Sequence, residues 1–246
     1  MTDVSPVAEA PQEKPSNPFS RIVGVLFSPS NTFAEIARRP DWVVPAIVIL
    51  VAVFAATMAT MPHIDFEGTY REAFEKKGNM APAQMEQAIR FAVAFGRATQ
   101  YVGPFLLLGI LAVLALIYWL GARLFGGTST YYQTFSVVLY GWIPQAIRAL
   151  IKIPIVMTKQ SIKMQESEAV VRSSLNFLVS YRDNPVLFAF LSRIDVFALW
   201  SLILYVIGLA VASRLSKGKT AAVVIAAWIL MTLVIVGATA MGARSR

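Results

Sequence analysis

The chain has 246 residues, 57% hydrophobic and 15% charged, with no cysteine, one histidine and a formal net charge of +8. A soluble domain is about half apolar and about a quarter charged, so the apolar excess has to face lipid. The lack of cysteine excludes a disulfide framework, a thiolate metal site and a cysteine nucleophile, and His63 alone cannot build a histidine metal centre. The basic residues lie outside the apolar blocks, as topology signals and anionic-headgroup contacts do, and this placement argues against nucleic acid as a partner.

Residues 1–17, with Pro6, Pro11 and Pro15 among Glu9, Glu13 and Lys14, hold too few large apolar groups to repay chain ordering and read as a disordered tail. Residues 18–41 read as an interfacial helical lead-in. Its apolar stretches, 22–27 and 32–37, are split by Ser28, Pro29 and Ser30, and Thr32 with Glu35 has the capping-box spacing of a short helix at headgroup level. Residues 42–246 form the membrane domain. Charge-free windows place spans at about 42–61, 98–122, 130–147, 196–213 and 220–243, each near or above the roughly 18 to 20 residues that cross a hydrocarbon core. No signal-type stretch precedes Trp42, so the first span reads as an uncleaved signal anchor. Gly126 to Thr130 form a turn before the third span, and Pro45, Pro104 and Pro144 predict kinks.

The expected fold is an all-α integral membrane bundle of five transmembrane helices, with amphipathic surface helices in the two long connections. In the first connection Met85, Ala88, Ala92 and Phe95 recur at helical spacing and Glu86 precedes Arg90 by four, so a helix leads into span two. In the second, residues 159–181, Met164, Val171, Leu175 and Leu178 share one helical face, which is the candidate partner surface. Residues 149–157, interrupted by Lys152 and Pro154, line the membrane surface or prolong span three.

No ionisable residue lies deep in any window, which argues against a proton-coupled pump and an intramembrane protease. No Walker loop, dinucleotide fingerprint or serine elbow occurs, and neither a catalytic nor a cofactor site is expected. Gln133, Tyr140 and Gln145 in span three are candidates for interhelical polar contacts. Asp195, just before span four, suits a helix N-cap and, as the alternative, a buried partner role, so it joins them as a candidate interhelical polar contact. Gly208 with Ala212, and Ala238 with Gly242, would permit close helix contact.

Several strings resemble the Yip family, membrane proteins named for interacting with Ypt and Rab GTPases, and in particular its bacterial branch. They are PSNTF at 29–33, followed by Pro40, Asp41, Trp42 and Pro45; LFGG at 124–127; QTFSVVLYGWIP at 133–144; IDVFALWSLIL at 194–204; Gly208; and LSKGK at 215–219. The resemblance implies a five-span domain with a cytoplasmic N-terminus and, in eukaryotic relatives, a role in vesicle traffic. Gln100, Tyr101 and Val102 stand where the eukaryotic motif carries an acidic residue, which argues against GTPase binding. The expected role is a non-enzymatic scaffold in the inner membrane, acting through a membrane or peripheral protein partner or through a homo-oligomer. The alternative is a small-solute transporter or channel component with a path along the polar face of span three. It requires a continuous cavity lined by Gln133, Tyr140 and Gln145. Compact basic clusters at Arg38 and Arg39, at Arg123, and at Arg214, Lys217 and Lys219 favour a cytoplasmic N-terminus and an outer C-terminus. They outweigh the larger basic total of the long connections, where charge bias is weakest.

Overall fold

The computed structural model describes residues 17–76, 78, 80–164 and 166–244, so the tail expected at 1–17 lies, apart from Asn17, outside them. The lead-in is a helical hairpin of α1 (Pro18–Phe27) and α2 (Pro29–Arg38). Each helix starts with proline, whose missing N–H costs nothing in a first turn. The Asn17 side chain accepts the Phe19 N–H at 3.1 Å. Because α2 starts at Pro29, Thr32 is inside the helix rather than at its cap. Its hydroxyl donates to the Ser28 carbonyl at 2.9 Å, and Glu35 pairs with Arg21 at 3.0 Å instead of closing a capping box.

Among the described residues, five helices are long and apolar enough to cross a membrane. They are α3 (Val43–Thr60), α5 (Pro82–Leu124), α6 (Tyr131–Gly141) continued by α7 (Ile143–Met157), α9 (Val196–Ser213) and α10 (Lys217–Arg244). At 1.5 Å per residue α5 is about 64 Å long, twice the roughly 30 Å hydrocarbon core, so its first turns project as the helix expected before span two. The third span reaches Met157 rather than 147. Trp142 marks a break just before Pro144, its N–H shared between the Val138 and Leu139 carbonyls at 3.0 and 3.2 Å.

Alternating crossings give the bundle two unlike ends. One, the lead-in end, carries α1, α2 and the turns at 125–130 and 214–216. The other, the cap end, holds α4 (Phe66–Glu75), the 159–195 connection and α8 (Pro185–Leu191). Arg71 straps α4 to α5 by bonding Glu67 at 3.0 Å and Glu86 at 2.7 Å. The single surface helix expected at 159–181 does not form. In its place are β2 (Ile162–Lys163), paired in parallel with β1 (Ile64–Asp65), and short 3-10 turns at Glu166–Glu168 and Leu175–Leu178. Backbone pairing with distant segments replaces helical bonds: Leu175 donates to Ile194 at 3.1 Å and Val196 to Ser173 at 3.0 Å. The Ser167 hydroxyl turns onto the Met164 carbonyl at 2.8 Å, the local competition by which serine disfavours helix.

The core runs through the spans. Ile49, Ala115, Val138, Leu139, Leu209 and Val224 are buried together at the centre. Phe33 and Ile36 of α2 join Val137, Tyr140, Leu204 and Ala212 in a second cluster, so the apolar face of α2 packs on protein between α6 and α9. Gly208 leaves the space: a Cβ there would sit 2.6 Å from Val137 Cγ1 and 2.9 Å from Phe33 Cε1. Gly208→Val should therefore lower thermal stability in detergent, by about 1–3 kcal/mol of overpacking, whereas Gly109→Ala, inside α5 with nothing within 4 Å, should not lower it. Equal melting of both variants would contradict this packing.

Candidate functional site

At the lead-in end, polar residues of the third span are tied to neighbouring segments. Thr130 and Gln133 form a reciprocal capping box, in which the Thr130 N–H donates to Gln133 Oε1 at 2.8 Å and the Gln133 N–H to Thr130 Oγ1 at 3.2 Å. The Thr130-Tyr131-Tyr132-Gln133 spacing carries that signal in the sequence. Gln133 Nε2 also donates to the Ala37 carbonyl at 2.7 Å, which pins the end of α2. The Tyr140 hydroxyl reaches back to Asp41 Oδ2 at 3.4 Å, while Asp41 Oδ1 accepts the Val43 N–H at 3.1 Å at the start of α3. Below the 125–130 turn, the buried Ser129 and Ser213 hydroxyls lie 2.8 Å apart and Thr134 donates to Ser129 at 3.2 Å.

At the cap end, Asp195 is buried, with 4% of its surface exposed. Its Oδ1 accepts the Phe197 and Ala198 N–H groups at 2.9 and 3.0 Å, so it is the N-cap of α9. Its Oδ2 accepts the Ser173 hydroxyl and lies 3.4 Å from Arg148 Nε, so the same carboxylate also joins the cap and α7. The sequence pattern shows the capping role; it does not show an ion partner 47 positions away.

Gln145 faces a recess of about 430 Å³ between α3, α5, α7 and the cap. Arg148 and Lys152, three and seven positions further along α7, line it as well, with Gln100, Thr57 and Trp142. Gln133 and Tyr140 do not. Gln133 and Tyr140 are engaged at the lead-in end, with the fully buried Val137, Val138 and Leu139 between them in the chain, so the recess takes only Gln145 of these three polar residues.

The expected partner face is split by the irregular cap. Met164 lines the recess and Val171 is buried, whereas Leu175 and Leu178 stay exposed beside Phe177. On the outer side of the cap, Glu72 receives Lys163 and has Lys76 at 3.4 Å and Arg182 at 3.8 Å. The hydrogen bond from Lys163 holds the Glu72 carboxyl below the usual carboxylate range.

The double role of Asp195 makes its substitutions separable. Asp195→Asn keeps an oxygen for the helix N–H groups but removes the charge facing Arg148, and Asp195→Leu removes both. Thermal stability in detergent should fall for Asn and fall further for Leu, the missing cap accounting for about 1 kcal/mol of the difference. Equal stability of Asn and wild type would show that the ion pair contributes nothing, and equal loss in both variants would remove the capping role.

The Yip1 domain model matches residues 23–238, a stretch that includes the α2 clamp, the third-span capping box and the Asp195 junction. Among curated proteins, "Membrane protein YknW" of Bacillus subtilis (strain 168) is 24% identical over 216 residues, covering 88% of this chain and 86% of that protein. No solved structure matches the chain. With the domain model extending from the lead-in hairpin into the last span, the chain belongs to the Yip1 domain family.

Proposed function

We propose that this multi-pass membrane protein is a non-enzymatic scaffold that organises membrane components by binding protein partners or further copies of itself. The observation that carries the reading is how the polar groups of the third span are used. Gln133 is engaged with Thr130 and Ala37, and Tyr140 with Asp41, around a closely packed apolar centre. A transport path would need those groups turned toward one aqueous channel. The proposed orientation puts the lead-in end in the cytoplasm and the cap outside an inner membrane, in keeping with Arg38, Arg39, Arg123 and Arg214 flanking the lead-in ends of the spans.

In this reading the cap presents the partner surface, narrowed to Leu175, Phe177 and Leu178, which are 39%, 54% and 64% exposed. They lie outside the spans, where a contiguous exposed apolar patch marks a protein or membrane contact site. Combining Leu175→Ser with Leu178→Ser should reduce crosslinking to a partner or second copy in native membranes by about tenfold, at unchanged membrane abundance. Lower abundance with unchanged crosslinking per molecule would make the segment structural and remove the scaffold's contact site.

A further inference from the structure

The recess at the cap end has a form that scaffolding does not use. Its deep wall is apolar, with Val53 and Ala56 of α3 and Leu107 of α5. Its upper part is polar and rich in donors: Gln100 of α5, Gln145, Arg148 and Lys152 of α7, and Ser167 of the cap. The boundary has a definite depth. Thr60 ends α3, Gln100 lies near the start of the charge-free part of α5, and Arg148 is the first charge after that of the third span. The change from apolar to polar therefore falls where three spans leave hydrocarbon, the level of phospholipid phosphates.

We propose that this recess binds a phosphate-bearing anion, its oxygens held by Arg148, Lys152 and the Gln100 and Gln145 amides. The volume of about 430 Å³ is that of a small-molecule site and exceeds the needs of a bare ion. Both cations already have protein partners. Arg148 Nε lies 3.4 Å from Asp195 Oδ2, and Lys152 Nζ donates to Ser167 Oγ at 3.4 Å. A guanidinium carries five donors in a fork and an ammonium three, so these bonds orient the two groups and are compatible with further acceptors. Asp195 is a carboxylate placed against Arg148, and its oxygens also accept two α9 N–H groups and the Ser173 hydroxyl. A phospholipid headgroup, with its chains along Val53 and Leu107, and a free phosphate compound entering from the cap side offer the same chemistry.

The test uses the full chain purified in mild detergent, with Lys152→Met removing one cation and Thr57→Leu filling the recess without changing charge. Arg148 is left intact because it secures the α9 cap. Native mass spectrometry after stepwise removal of added phosphatidylglycerol counts retained lipid, and calorimetry with inorganic phosphate on the delipidated protein reads the free-anion source. Wild type should retain one phospholipid per chain, and both variants about tenfold less, with melting temperatures unchanged. Calorimetric binding of phosphate by wild type, lost in both variants, would support the site with a free anion as its source. Retention and phosphate binding at wild-type levels in both variants, or neither ligand bound by wild type, would overturn the proposal.

Discussion

Hydrocarbon supplies no hydrogen bonds, so a polar group carried into the membrane is best placed where another part of the chain meets it, as Gln133 and Tyr140 are, while the buried Ser201 and Thr232 hydroxyls and the Trp228 N–H have no such partner among the described residues. The third span bears most of that demand, and its solutions hold the bundle together. Gln133 spends its oxygen on the start of its own helix and its nitrogen on the end of α2, while Tyr140 crosses to Asp41 beneath α3. The Ser129, Ser213 and Thr134 hydroxyls join the turn after α5 to the end of α9. Each such bond contributes only about 0.6 kcal/mol inside a membrane, so their main effect is to fix which helices are neighbours. The energy of close packing comes from the apolar centre and from Phe33 and Ile36 filling the groove that Gly208 leaves open.

The same constraint explains why the ends of the bundle differ. At the lead-in end the backbone stays helical up to short turns, so few donors remain to be matched and two compact helices close the structure. At the cap end the 159–195 connection holds only short elements, the longest of them α8. Its backbone is satisfied instead by the β1–β2 pair, the Ser173 to Leu175 pairing with Ile194 to Val196, and the Asp195 carboxylate. Asp195 stands where three such needs meet: the exposed N–H groups of α9, the hydroxyl of Ser173 and the guanidinium of Arg148. A buried carboxylate is tolerated there because helix donors and a cation share its charge.

Much of this architecture is legible in the sequence because crossing a bilayer demands a charge-free run. The windows at 42–61 and 196–213 coincide with α3 and α9 to within one residue at either end. The same criterion ends the third window at 147, while its helix runs on to Met157, so residues 149–157 prolong span three, one of the two readings the sequence offered, and the continued helix carries Arg148 and Lys152 to the recess. The 159–181 connection shows the opposite failure. A 3.6-residue period is present, but it assigns one face to residues that the fold separates, Val171 inward and Leu178 outward. Non-local strand pairing and serine side chains decide that segment, and neither leaves a periodic mark. Asp195 is half legible: its place before an apolar helix predicts the cap, while the Arg148 contact depends on how two distant helices pack.

A closely packed bundle centre with a polar recess toward the cap end can be probed directly, because the chain has no cysteine of its own. Single substitutions Gln145→Cys, at the recess, and Val138→Cys, in the fully buried centre, can be treated in oriented membranes with a membrane-impermeant maleimide from each side in turn. Gln145→Cys should react from the cap side alone and Val138→Cys from neither. Aqueous labelling of Val138→Cys from either side would show water running through the bundle and would contradict that close packing.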